Sequence, residues 1–164
     1  METFAAIMAR HSTREFTGKP IERGMIEKII DAARLAPTAR NVQPWDFVVV
    51  TDAAMRARLA HLTDFGKFIA QAPVCVAVFC RDTKYYLEDG ANAATTLLLA
   101  AADLGVQSCW VAGDKKAYCP QAAALLGVPA DHKLIALLAL GYAATAPVAP
   151  PKRPLAEVLH WEKF

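Results

Sequence analysis

Arg10, His11, Ser12, Thr13 and Arg14 occupy five consecutive positions, "RHSTR", directly after the small apolar run "FAAIMA". Guanidinium forks donate in pairs to phosphate oxygens, and neighbouring hydroxyls add further donors. Two arginines four apart, just past a helix, can close round one phosphate, each charge-assisted bond contributing about 1.5–3 kcal/mol. Taken alone, the pentapeptide reads first as a solvated loop with Arg10 at a helix C-terminus. A second stretch shifts that balance. Residues 36–47 read "APTARNVQPWDF" and place Thr38, Asn41 and Gln43 between Pro37 and Pro44. Asn and Gln carry donors and acceptors together and suit the edge of a heteroaromatic ring, where both alternate. The competing reading is an Asx-type turn; Trp45 reads as a core anchor.

Other catalytic patterns are missing. The histidines at 11, 61, 132 and 160 lack metal-ligand spacing. No Ser-His-Asp set and no carboxylate pair suggests itself; Glu88 and Asp89 read as a cap or solvated start of a long helix. The eight glycines are scattered and none forms G-x-G-x-x-G, which argues against a dinucleotide-binding domain. Cys75, Cys80, Cys109 and Cys119 contain no C-x-x-C. They read as reduced, small apolar residues, with Cys75 and Cys80 on opposite faces of a strand. That points to the cytoplasm.

The elements that must position these groups follow from periodicity. Phe4, Ile7 and Met8 mark a short amphipathic helix ending near Arg10. Ile26, Ile29, Ile30 and Ala33 mark a helix from Glu22 to Leu35, which Pro37 ends. Strands are predicted at 46–52, 73–81, 107–113 and 133–142, the first two of them buried. Helices are predicted at 53–62, with Asp52 as N-cap, at 86–105, ended by Gly105, and at 120–126, stopped by Gly127. The 86–105 helix is apolar nearly all round, as expected in mid-core or against a partner.

At 164 residues, 55% hydrophobic and 21% charged, residues 1–164 form a single domain of α+β class, a sheet covered by helices. A net charge of +2 gives no reason to expect nucleic acid. No signal peptide is recognisable, and no apolar stretch is long enough to span a membrane. Residues 143–154, "AATAPVAPPKRP", should be extended. The following "LAEVLHWEKF" is too apolar for a free tail and must dock somewhere.

Together, "RHSTREF" and "APTARNVQPWDF" resemble the nitroreductase family of FMN-dependent oxidoreductases, as does the order of "GKFIAQAPVCVAVF", "LGVQSCWVAG", "LLGVP" and "PPKRPLAEVLHW". The resemblance covers essentially the whole chain. It implies a mixed, mainly antiparallel sheet in a homodimer, with FMN in the subunit crevice; the apolar 86–105 helix, the extended segment and the apolar residues after it place the 143–164 tail on the partner subunit. Arg10, His11, Ser12 and Arg14 match the phosphate-binding segment, which Lys152 and Arg153 complete. Pro37, Thr38, Ala39, Asn41 and Gln43 match the loop bordering the isoalloxazine ring. Lys67 aligns with a lysine near ring atoms N1 and O2, and Ala112 and Gly113 match a turn whose N–H groups reach the N5–O4 edge. The family's activity implies transfer from NAD(P)H, a transient donor, through FMN to a nitroaromatic, quinone or similar flat aromatic acceptor; without a dinucleotide-binding domain, donor and acceptor use one site in turn, which makes the cycle ping-pong. A flavin carrier or sensor without turnover, and reductive dehalogenation on the same fold, are the alternatives. A small RNA- or phosphopeptide-binding module is opposed by the few aromatics near the basic residues and the low net charge.

Overall fold

The computed structural model describes residues 2–146 and 148–164. In chain order it contains α1 (Thr3–Ala9), α2 (Arg23–Ala33), β1 (Trp45–Val50), α3 (Ala53–Leu62), β2 (Val74–Arg81), α4 (Tyr86–Asp103), β3 (Gln107–Ala112), α5 (Cys119–Leu126) and β4 (His132–Gly141). Short 3-10 turns cover Ala39–Asn41, Lys67–Ala70 and Leu155–Glu157. The local signals explain the boundaries. Asp52 accepts the Met55 N–H at 2.7 Å and caps α3. Gly127 closes α5 at φ 68°, a left-handed conformation that only glycine adopts cheaply.

The strands lie in the order β1-β2-β4-β3, and every pairing is antiparallel. The sheet is thus mainly antiparallel as expected, and its four described strands form no parallel pair. The α4 crossover returns the chain parallel to β2, but β4 fills the space between β2 and β3, so the two parallel strands never touch. Among the described residues, a parallel contact survives only as an isolated bridge between Ser12 and Ser108.

Strict alternation along β2 feeds two cores. Val74, Val76, Val78 and Cys80 face one side with α2 and α4; Cys75, Ala77 and Phe79 face the other with α3 and α5. Both central strands are buried on both faces, which accounts for their continuous apolar runs. Burial pushes the Cys75 and Cys80 thiols up to about 12, with the Asp89 and Asp46 charges adding to the effect at Cys80. α4 lays Ala93, Ala94, Leu97, Leu98 and Ala101 into the first core. Trp45 anchors the same core.

Two apolar segments stay outside both cores. On α1, Phe4 is 81% and Met8 75% exposed. In the tail, residues 148–164 are all exposed, Leu155 and Trp161 among them. Among the described residues no helix is long and apolar enough to cross a membrane.

Candidate functional site

The chain leaves α1 at Arg10 and runs onto the sheet. The Thr13 N–H donates to the Ser108 carbonyl at 2.9 Å, and the Thr17 N–H to the Tyr142 carbonyl at 2.8 Å. This stitches residues 12–17 along the outer edge of β3 and the end of β4. The basic residues therefore gather at Cys109. Burial raises that thiol's pKa, while Arg14, the Ser12 hydroxyl and Arg10 pull it down. Among the described residues neither arginine has a carboxylate partner. Among the described residues Arg14 reaches only the Ser12 carbonyl, at 3.5 Å. His11 is half-buried beside them, and the buried Thr13 hydroxyl has no hydrogen-bond partner.

A cavity of about 510 Å³ continues along this edge, lined by Arg14, Phe65, Phe68, Trp110, Ala112 and Lys116 among others. In an antiparallel pair, alternate residues turn their backbone groups toward the neighbouring strand. The Gly113 N–H donates to the Ile135 carbonyl at 3.0 Å, so it faces β4. Ala112, one residue earlier, turns its N–H to the outer edge, on the side where Ser108 takes up Thr13. Of the two N–H groups implied for the ring edge, that of Gly113 is therefore spent within the sheet. A Cβ at Gly113 would lie 2.5 Å from the Leu134 carbonyl oxygen, which explains the glycine. The Ala112 carbonyl accepts the Tyr118 hydroxyl.

The 37–43 loop is built differently. Arg40, Asn41 and Gln43 all have positive φ, between 50° and 55°. Such non-glycine conformations cost about 1–3 kcal/mol each and persist only where the surroundings enforce them. Here the enforcing group is Asp89, 3% exposed on the first turns of α4. Its carboxylate accepts the Thr38 hydroxyl at 3.0 Å and the Ala39 N–H at 2.9 Å. The Thr38 oxygen in turn accepts the Gln43 N–H at 3.1 Å, and Asn92 donates to the Pro37 carbonyl at 3.2 Å. Gln43 also donates to the Asn41 side-chain oxygen at 3.0 Å.

Asp89 is not the solvated helix start the sequence suggested. It lies on the stripe of Ala93, Leu97 and Ala101, at four-residue steps, and that spacing was the available signal for its burial. Asn92, Phe65, Phe68 and Lys116 carried no comparable signal.

The site residues divide into groups. Arg10, His11, Ser12, Arg14 and Ala112 share the outer edge of β3. Pro37, Thr38, Ala39, Asn41 and Gln43 precede β1, at the opposite edge of the sheet. Lys67 donates to the carbonyls of His61 at 3.0 Å and Ala60 at 3.3 Å, at the C-terminal end of α3. Arg153 pairs with Glu157 inside the tail, and Lys152 is exposed beside it. The donor set at β3 matches a phosphate group. The aromatic-walled cavity with an outward strand N–H matches a flat heteroaromatic ring.

Comparison with known proteins extends this picture. A model described as "Nitroreductase family" matches residues 7–64 and 65–142. A protein of Archaeoglobus fulgidus with the provisional name NADH dehydrogenase/NAD(P)H nitroreductase is 34% identical over 149 residues, 86% of this chain and 85% of the relative. The NADPH-flavin oxidoreductase of Vibrio harveyi is 26% identical over 180 residues, 99% of this chain and 74% of that protein. In structure, an FMN-dependent nitroreductase of Clostridium difficile superposes with a TM-score of 0.92 at 24% identity, covering 98% of this chain and 99% of its own.

Proposed function

The chain belongs to the nitroreductase family, and from that premise we propose that it is an FMN-dependent oxidoreductase. It passes reducing equivalents from NAD(P)H to nitroaromatic, quinone or similar flat acceptors. The observation that carries this reading is the continuous outer edge of β3. There, two arginines without carboxylate partners among the described residues lead into a cavity walled by Phe65, Phe68 and Trp110.

Bound FMN would supply the hydride chemistry itself. Arg10, Ser12 and Arg14 hold its phosphate, and His11 lines the same segment. The Ala112 N–H donates to the ring edge. Lys67, on the turn that carries Phe68, adds positive charge near N1 and O2; its bonds to the Ala60 and His61 carbonyls hold that charge in place. With no dinucleotide-binding motif in the chain, donor and acceptor use the ring face in turn.

The loop of Pro37, Thr38, Ala39, Asn41 and Gln43 comes to this flavin from a second subunit. Within one chain the loop leads into β1 and the arginines run beside β3, the two edge strands of a four-stranded sheet, three inter-strand spacings or roughly 14 Å apart. A two-fold homodimer joins the two edges. It also gives the exposed tail, with Trp161 76% and Leu155 70% exposed, a surface to cover, and brings Lys152 and Arg153 to the partner's phosphate site. The four free cysteines support a cytoplasmic setting.

The protein should purify yellow, and heat should release FMN. Without air, NAD(P)H should bleach the colour and a quinone should restore it. Double-reciprocal plots at several acceptor concentrations should run parallel. Release of FAD, or colour that NAD(P)H leaves untouched, would refute the reading.

A further inference from the structure

Next to the flavin cavity lies a groove of about 740 Å³, within the range of small-molecule sites. The segment 114–119 forms the wall between the two, and Lys116 lines both. The floor of the groove is apolar, made by Ala123, Val128, Pro129 and Leu134 among others.

Its charges are unequally committed. Asp114 accepts the Tyr86 hydroxyl at 2.8 Å. Lys133 pairs with Asp82 at 3.2 Å, and His132 lies between Asp131 and Asp46 at 2.8 and 3.0 Å. Lys115 and Lys116 are exposed, and among the described residues neither has an ion-pair partner. The groove thus offers two uncommitted cations above an apolar floor, and it abuts the cavity assigned to the reacting ring.

We propose that this groove binds the adenosine-diphosphate arm of the nicotinamide donor, with Lys115 and Lys116 on its phosphates and the adenine on the apolar floor. The inference rests on the reading of the chain as a NAD(P)H-using flavoenzyme. The sequence lacks the glycine-rich turn whose backbone N–H groups cradle a pyrophosphate elsewhere, so the phosphates of a donor whose nicotinamide reaches the ring need other donors. The groove, adjoining the cavity assigned to the ring, supplies two ammonium groups. The arm binds only through contacts that donor and product share, so it lowers KM without entering the hydride step.

ADP-ribose, which carries the arm without a nicotinamide, separates the groove from turnover. Calorimetric titration of the FMN-loaded protein should show binding that weakens as salt rises. In the Lys115→Glu variant, whose position lines the groove and not the flavin cavity, ADP-ribose affinity should fall about tenfold, the scale of a lost charge-assisted contact. KM for the dinucleotide donor should rise by the same factor. Reduction by N-benzyl-dihydronicotinamide, which has no phosphates, should keep its wild-type rate and so report an intact fold and flavin. Lys115→Gln should show the smaller effect of removing one charge rather than reversing it. No ADP-ribose binding to the wild-type protein, or equal binding to the Glu variant, would overturn the proposal. If no nicotinamide donor of either kind bleaches the flavin, the reductase reading fails, while the ADP-ribose titration still decides the groove.

Discussion

At the scale of single residues, the polar groups that matter here are those whose partners are fixed. Asp89 is buried with both carboxylate oxygens engaged by the 37–43 loop. Asp89→Ala removes both acceptors and leaves the Ala39 N–H and Thr38 hydroxyl unpaired. We expect a loss of about 1–3 kcal/mol in urea unfolding. With the loop's positive-φ residues no longer enforced, FMN affinity should weaken by about tenfold, or about 1.4 kcal/mol. Asp89→Asn, which retains the volume and one acceptor, should fall between. Wild-type FMN affinity in the Ala variant would mean that the carboxylate does not position the loop. Arg14 presents the opposite case, a guanidinium whose sole hydrogen bond among the described residues is 3.5 Å long. Arg14→Ala should therefore leave the apo fold unharmed and lose most of the bound flavin, read from the ratio of visible to ultraviolet absorbance. Full occupancy would remove Arg14 from the phosphate site.

At the scale of elements, β2 shows how a buried strand ties stability to pH. Its two cysteines face opposite cores, and burial raises both thiols from an ordinary 9.0 to about 12. Between those values the unfolded chain has released these protons and the folded chain has not, so the unfolded state binds fewer protons and stability declines as pH rises. The stabilisation is whole below about pH 9 and is lost as pH approaches 12. Urea midpoints measured across that window should fall with pH, and should fall less steeply in a Cys75→Ala, Cys80→Ala double variant. Identical slopes would show that the strand does not govern the alkaline limb. The turn after β3 follows a related logic. Gly113 lies so close to the β4 backbone that its N–H is consumed by the sheet, leaving the outer edge to Ala112.

At the scale of the whole molecule, α1 and the tail each leave several large apolar side chains exposed outside the cores. Fully burying a side chain such as Leu155 or Val158 gains about 1.5–3 kcal/mol, and folding of the single chain leaves that gain unrealised. In the proposed isologous dimer the exchange would occur twice, and it would couple assembly to FMN binding through Lys152 and Arg153. Truncation after Thr145 should therefore lower the mass by light scattering and deplete the flavin together. A truncated protein that remains dimeric and fully yellow would refute the exchange.

The sequence by itself determined the elements and their faces. The continuous apolar run "PVCVAVFC" specified a strand buried on both sides, and the caps at Asp52 and Gly127 set helix ends, because these signals depend on neighbours a few residues away. The clustering of Arg10, Ser12 and Arg14 was likewise legible, since adjacency in the chain guarantees adjacency in space. Only the tertiary structure decided which strands became the sheet's edges. The insertion of β4 between β2 and β3 is a long-range pairing that no local pattern encodes, and it made the sheet wholly antiparallel. It also put the arginines and the 37–43 loop at opposite edges. The fate of Asp89 and of the Gly113 N–H was settled in the same way, because a polar group's partner depends on what packs against it, and packing joins residues far apart in the chain.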